Sequence, residues 1–284
     1  MHHSRNHAQR KVCYNANMQR ETGFIDTHMH LHAVHFDPDR AAVLERATAA
    51  GVACMIEIGY DLPSSQAALT LATRHAPIYA VVGIQPNYVH QAPADWLAEV
   101  RALAQHPKVV AIGEIGLDYY WNHAPHAQQE AFFLAQLALA RELQLPVVIH
   151  SRDAQEDTLR VLRAAAHGLN ERAGQAGLPG VLHSFSGNWD YARACLDLGF
   201  LLSFSGPVTF ARAHDLHDVA RRMPLERMLT ETDSPYLSPH PHRGQRNEPA
   251  RVRLVAERLA CLRDMPLPDL AAAVWANAYT VFGI

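Results

Sequence analysis

From residue 24 onward the chain switches repeatedly between two patterns of hydrophobic and polar positions. Short β-rich runs occupy 24–30, 52–58, 78–84, 109–115, 146–150, 181–183, 200–203 and 228–232. Runs of this kind read as strands. Longer stretches between them place apolar residues three and four apart, as at Val43, Ala47 and Ala50 or at Phe133, Leu134, Leu137 and Ala138. That spacing gives a helix one apolar side. Strand and helix in strict alternation imply right-handed parallel units, and eight of them close into a single (β/α)8 TIM barrel of the α/β class. The rival is a doubly wound open sheet, which calls for a glycine-rich phosphate loop after the first strand. Here Asp26-Thr27-His28-Met29-His30 stands at that position. A last helical stretch, 268–282, is expected to cover the barrel from outside or beneath.

Residues 1–22 follow neither pattern. They are polar and basic, with His2, His3, Arg5, His7, Arg10, Lys11 and Arg20, and are expected to form a poorly ordered extension ahead of a barrel domain at 23–284. Met18 is a second candidate start of translation.

Composition narrows the class. A chain of 284 residues, 49% hydrophobic and 19% charged, can bury the core of one such barrel. Cys13, Cys54, Cys195 and Cys261 lie far apart, which points to neither a disulfide framework nor a thiolate zinc site and fits a cytoplasmic protein. No apolar run approaches a membrane span, and the polar start lacks the core of a signal peptide. A net charge of −3 argues against a broad basic surface for nucleic acid, although bound divalent cations reverse the field locally. The expectation is a monomer with no obligatory protein partner and no membrane contact.

Active sites in these barrels gather at the carboxyl ends of the strands. In this chain those ends carry His28 and His30, Glu114, His150, His183 and Asp233. Asp26, His28 and His30 alternate along one extended segment and so share one side. Each residue also has a plainer reading: satisfied core histidines, a helix-cap partner in Glu114, a cap before Ser234-Pro235 in Asp233. With 19 histidines in the chain, a pair two apart is also open to coincidence. Convergence of six such side chains on strand ends favours a metal site. Imidazole with carboxylate and no thiolate suits zinc, manganese, iron or magnesium, and a carboxylate placed between two cations bridges them. Glu114 is the natural bridge. Many barrel hydrolases use a modified lysine there, but Lys11 and Lys108 are the only lysines and neither falls at a strand end.

The motifs resemble those of a known family. Asp26-Thr27-His28-Met29-His30, Gly113-Glu114-Ile115-Gly116-Leu117-Asp118-Tyr119, Val148-Ile149-His150-Ser151-Arg152, His183-Ser184-Phe185-Ser186-Gly187 and Glu231-Thr232-Asp233-Ser234-Pro235-Tyr236-Leu237 look, in order, like the signatures of the TatD family of metal-dependent deoxyribonucleases. Arg243-Gly244-Gln245-Arg246-Asn247-Glu248-Pro249 resembles its closing motif. The resemblance implies hydrolysis of phosphodiester bonds in DNA from the 3′ end with two divalent cations, Mg2+, Mn2+ or Zn2+. It further implies that His28, His30, Glu114 and Asp233 hold one ion and Glu114, His150 and His183 the other. Two positions depart from the family pattern: Gln85 stands where a histidine is common, and Ser184 where a cysteine is usual.

Within that reading Asp233 and Glu114 are the catalytic candidates, with Asp233 taking or orienting the proton of the attacking water. Arg243 is the expected phosphate clamp, its alternative being a solvated surface arginine. Asp26 is expected to orient a ligand histidine from behind. Tyr119, Tyr120, Trp121 and Phe185 follow ligand-bearing strands and either stack on unpaired bases or pack the barrel top. Two other classes stay open: a hydrolase of another bond, such as the ester of an aminoacyl-tRNA or a small cyclic amide, and a metal-binding barrel without catalysis.

Overall fold

The computed structural model describes residues 23–169 and 179–284. The expected extension at 1–22, with Lys11, Cys13 and Met18, lies outside the described residues. Eight parallel strands pair in sequence order: β1 (Phe24–Met29), β2 (Val52–Ile58), β3 (Ile78–Val82), β4 (Val109–Asp118), β5 (Val147–Arg152), β6 (Gly180–Leu182), β7 (Leu201–Phe204) and β8 (Met228–Thr230). Helices α1 (Arg40–Ala49), α2 (Leu62–Arg74), α3 (Trp96–Ala104), α4 (His126–Leu143), α5 (Gln155–Leu169), α6 (Trp189–Asp197), α7 (His214–Arg222) and α8 (Val252–Leu262) alternate with or follow them, and α9 (Leu267–Phe282) ends the chain. This is a (β/α)8 TIM barrel.

Strands β4 and β5 reach further than the apolar pattern foretells. The pairs Leu117 with Ser151 and Asp118 with Arg152 continue the ladder past residues 115 and 150. Gly116 permits that approach: at its φ of +142° an added Cβ would lie 2.0 Å from the His150 carbonyl oxygen. Conversely, β8 ends at Thr230 rather than residue 232, although the Glu231 amide still donates to the Phe204 carbonyl of β7 at 3.0 Å.

The barrel closes between β1 and β8 through side chains more than through a ladder. Met29 and Ser234 form an isolated parallel bridge, and the Asp233 and His30 amides donate to the His28 and Ser234 carbonyls, each at 2.8 Å. Below that bridge Asp26 accepts from the Thr232 amide at 2.8 Å and the Thr232 hydroxyl at 2.5 Å, while Thr27 donates to the Thr230 carbonyl at 3.0 Å. Helix α9 covers this seam: Leu270, Val274, Ala278, Val281 and Phe282 are buried at helical spacing, and Asn277 donates to the Leu225 and Met228 carbonyls. Each large apolar side chain so buried contributes about 1.5–3 kcal/mol.

Candidate metal centre

The strand ends surround a cavity of about 790 Å³. Six predicted side chains converge at its base. His28 and His30 bring their Nε2 atoms within 3.3 Å of each other although β1 has a register irregularity between Asp26 and Met29. Asp233 Oδ1 lies 3.4 Å from His30 Nε2 and 3.7 Å from His28 Nε2. Across the floor, Glu114 Oε1 lies 2.8 Å from His150 Nδ1 and 2.9 Å from His183 Nε2. Its other oxygen, Oε2, is 3.7 Å from His28 Nε2. Glu114 therefore stands between a His28–His30–Asp233 group and a His150–His183 group.

The donor chemistry fits divalent cations. His150 Nδ1 and His183 Nε2 face each other at 3.2 Å, as the β1 pair does at 3.3 Å. Ring nitrogens that converge in pairs beside carboxylates present several lone pairs to one point, which suits a cation. Ring tautomers agree with this. His30 Nδ1 donates to the Ile58 carbonyl at 2.9 Å, and His150 Nε2 to Asp118 at 2.8 Å, so in each neutral ring the opposite nitrogen is left free to ligate.

Buried charge perturbs these groups strongly. Burial works against the ionised form of Glu114, but His183 and His150 hold its carboxyl well below the usual range. Burial and the stacked His183 ring, 3.9 Å away, keep His28 neutral by pushing it well below its ordinary value. His30 moves the other way: burial opposes its protonation, yet the hydrogen bond and charge of Asp233 raise it to about 9. His183 is likewise raised, against burial, by Glu114 and Glu231. Clusters of groups pushed in opposite directions mark functional sites more often than packing sites.

A family model described as TatD related DNase matches residues 25–283. The chain belongs to the TatD related DNase family. It is similar to YabD of Bacillus subtilis, named an uncharacterised metal-dependent hydrolase, with 40% identity over 260 residues that cover 92% of this chain and 99% of that protein. It is also similar to a protein of Erwinia amylovora named 3′-5′ ssDNA/RNA exonuclease TatD, at 35% identity over 266 residues covering 92% and 100%. Among solved structures, YJJV of Escherichia coli, a TatD homologue, superimposes with a TM-score of 0.86 at 31% identity, covering 93% of this chain and all of that one.

Around the TatD-family centre the other expected residues divide. Phe185 is buried, lines the cavity and stacks on Tyr191. Tyr119 does not line the cavity. Its ring stacks on His126 and its hydroxyl donates to Asp157 at 2.9 Å, so it ties β4 to α4 and α5. Arg243 is exposed, lies over the Phe210 ring at 5.0 Å and does not line the cavity. Asp26 touches the His28 amide, at 3.3 Å, but no imidazole: its main bonds are to Thr232 across the barrel seam. Gln85 and Ser184 both line the cavity; Gln85 accepts from the Asn87 amide and Ser184 bonds the Ser205 hydroxyl at 2.8 Å.

Four further residues shape the TatD-family site without having been singled out in the sequence. Asp118 grips His150, and burial of its carboxyl is outweighed by that bond so that it sits below its ordinary value. Glu231 accepts from the Ser184 amide at 2.6 Å and approaches His183 Nδ1 to 3.4 Å. Glu57 is fully buried on β2 and accepts from the amides of Leu31 and His32 and from His32 Nδ1, fixing the turn after His30. An acidic residue inside the apolar run 52–58 is the one signal that could have flagged it. Arg152 is the one arginine lining the cavity among the described residues.

Proposed function

We propose that the protein is a nuclease that shortens single-stranded DNA from its 3′ end with two divalent cations. The observation that carries this reading is the position of Glu114, whose two oxygens face two separate histidine groups. The exonuclease name borne by the Erwinia relative agrees with it. Bound cations would polarise a phosphoryl oxygen and acidify a water near neutral pH.

The chain's own residues do the rest. His28, His30 and Asp233 would hold one cation, His150 and His183 the other, and Glu114 would share itself between them. Asp233 lines the cavity above His30 and orients the attacking water, taking up its proton. Its backbone is held in place by the His28 carbonyl at a φ of +55°, a left-handed conformation that costs on the order of 1 kcal/mol and fixes where the carboxylate points. Tyr60, Tyr88, Tyr236 and Trp121 line the walls and offer faces to unpaired bases. Amide hydrolysis through a modified lysine draws no support: Lys108 donates to the Ala76 and Ile78 carbonyls, at the opposite end of the barrel from the cavity.

The reading is tested on single-stranded DNA labelled at its 5′ end, with chelated protein and with Mg2+, Mn2+ or Zn2+ restored. A ladder shortening from the 3′ end, absent with chelator and in Asp233→Asn, is expected. No shortening with any of the three cations would sink it.

A further inference from the structure

Arg152 ends β5, two positions beyond His150. Its side chain therefore leaves the same side of the strand about 7 Å nearer the cavity mouth. Among the described residues it enters no ion pair. Instead its guanidinium lies 3.8 Å above the Tyr120 ring and 5.8 Å from the Trp121 ring. Those two rings are 54% and 47% exposed, which is unusual for large aromatic side chains beside a charged site. A guanidinium stacked on an aromatic face keeps its in-plane N–H donors free, and these match the two oxygens of a phosphate.

The shelf is tied to the metal centre by one carboxylate. Asp118 Oδ1 accepts from the Tyr120 and Trp121 amides at 3.0 and 3.1 Å, and Oδ2 accepts from His150 Nε2 at 2.8 Å. The Tyr119 amide donates to the Arg152 carbonyl at 2.9 Å, completing the frame. Stacked cation and ligand imidazole are thus held at a fixed separation. Glu114, Asp118 and Asp233 also line the cavity, so a polyanion entering it needs a cationic anchor beyond the ions themselves.

We infer that Arg152, laid on Tyr120, anchors the phosphate one linkage inward from the bond being cut, so that the site tells a nucleic-acid strand from an isolated phosphodiester. This rests on the nuclease reading above. The anchor contributes to substrate binding, and its loss raises KM more than it lowers kcat.

The test pairs Arg152→Gln with a short single strand whose linkage next to the 3′-terminal one is an uncharged methylphosphonate. On the natural strand Arg152→Gln should raise KM about tenfold, the scale of a charge-assisted hydrogen bond. Wild type should lose a similar factor on the methylphosphonate strand, and Arg152→Gln should lose nothing further there. Arg152→Lys should fall between the two on the natural strand. On bis(p-nitrophenyl) phosphate, which has no second phosphate, the loss in Arg152→Gln should be about tenfold smaller than on the natural strand. Additive losses on the strand, or an equal loss on the small diester, would overturn the anchor while leaving the nuclease reading in place. Failure of the wild type to cut any phosphodiester with Mg2+, Mn2+ or Zn2+ would overturn both.

Discussion

The two halves of the centre are held by different means. On the β4–β6 side, carboxylates back the imidazoles: Asp118 bonds His150 at 2.8 Å, and Glu231 faces His183 Nδ1 at 3.4 Å as an ion pair without a hydrogen bond. On the β1–β8 side, the rings have weaker backing. His30 donates to a backbone carbonyl, and among the described residues His28 Nδ1 has neither a hydrogen-bond partner nor a carboxylate facing it. What is fixed there is the backbone, through Asp26, Thr27, Thr230 and Thr232 at the barrel seam. One half is therefore tuned in ligand strength, the other positioned by the closure of the fold.

Breaking the residue common to both halves should have the largest effect. Glu114→Gln should lower phosphodiester cleavage by about three orders of magnitude or more, as expected when charge stabilisation at the reacting centre is lost. Circular dichroism should show the barrel retained. Next, Asp118→Asn should weaken cation retention by about 10–100-fold, the usual effect of removing a carboxylate behind a ligand histidine. Competition with a coloured chelator measures this, and thermal stability of the metal-free protein should change little.

Asp26→Ala should do the reverse. It strands the buried Thr232 amide and hydroxyl, so urea unfolding should show a loss of about 1–3 kcal/mol, with cation affinity of the folded fraction nearly unchanged. An outcome in which Asp26→Ala loses cations and Asp118→Asn loses stability would invert the comparison.

A pH series gives a smaller, signed effect on the β1–β8 half. In the metal-free protein His30 is raised from 6.5 to about 9, so its protonated form contributes stability that is complete below about pH 6.5 and fades as pH rises through about 9. The urea midpoint of the chelated wild type should fall across that window more than that of Asp233→Asn. With cations bound, which requires the neutral ring, the dependence should flatten. Parallel curves for the two proteins would remove Asp233 as the cause.

The sequence made the barrel and the convergence legible for one reason: strand ends in this architecture share a face, so a list of polar residues at the ends is already a list of neighbours. His28, His30, Glu114, His150, His183 and Asp233 could be read that way. What could not be read depends on contacts across the fold. Arg243 carries the phosphate role in the sequence reading, where nothing brings forward Arg152; that residue lines the cavity with its guanidinium over Tyr120. Tyr119 is turned outward by Asp157, 38 positions later, and Asp26 is claimed by Thr232, 206 positions later. Glu57 carries no motif at all; its role exists only where β2 meets the turn after β1.

The most direct measurement of a shared centre is electron paramagnetic resonance during stepwise Mn2+ addition to the chelated protein. Two ions per chain with an exchange-coupled spectrum, and loss of the coupling in Glu114→Gln, should be seen if Glu114 joins the two histidine groups. A single ion per chain, or two ions with uncoupled signals in the wild type, would contradict it.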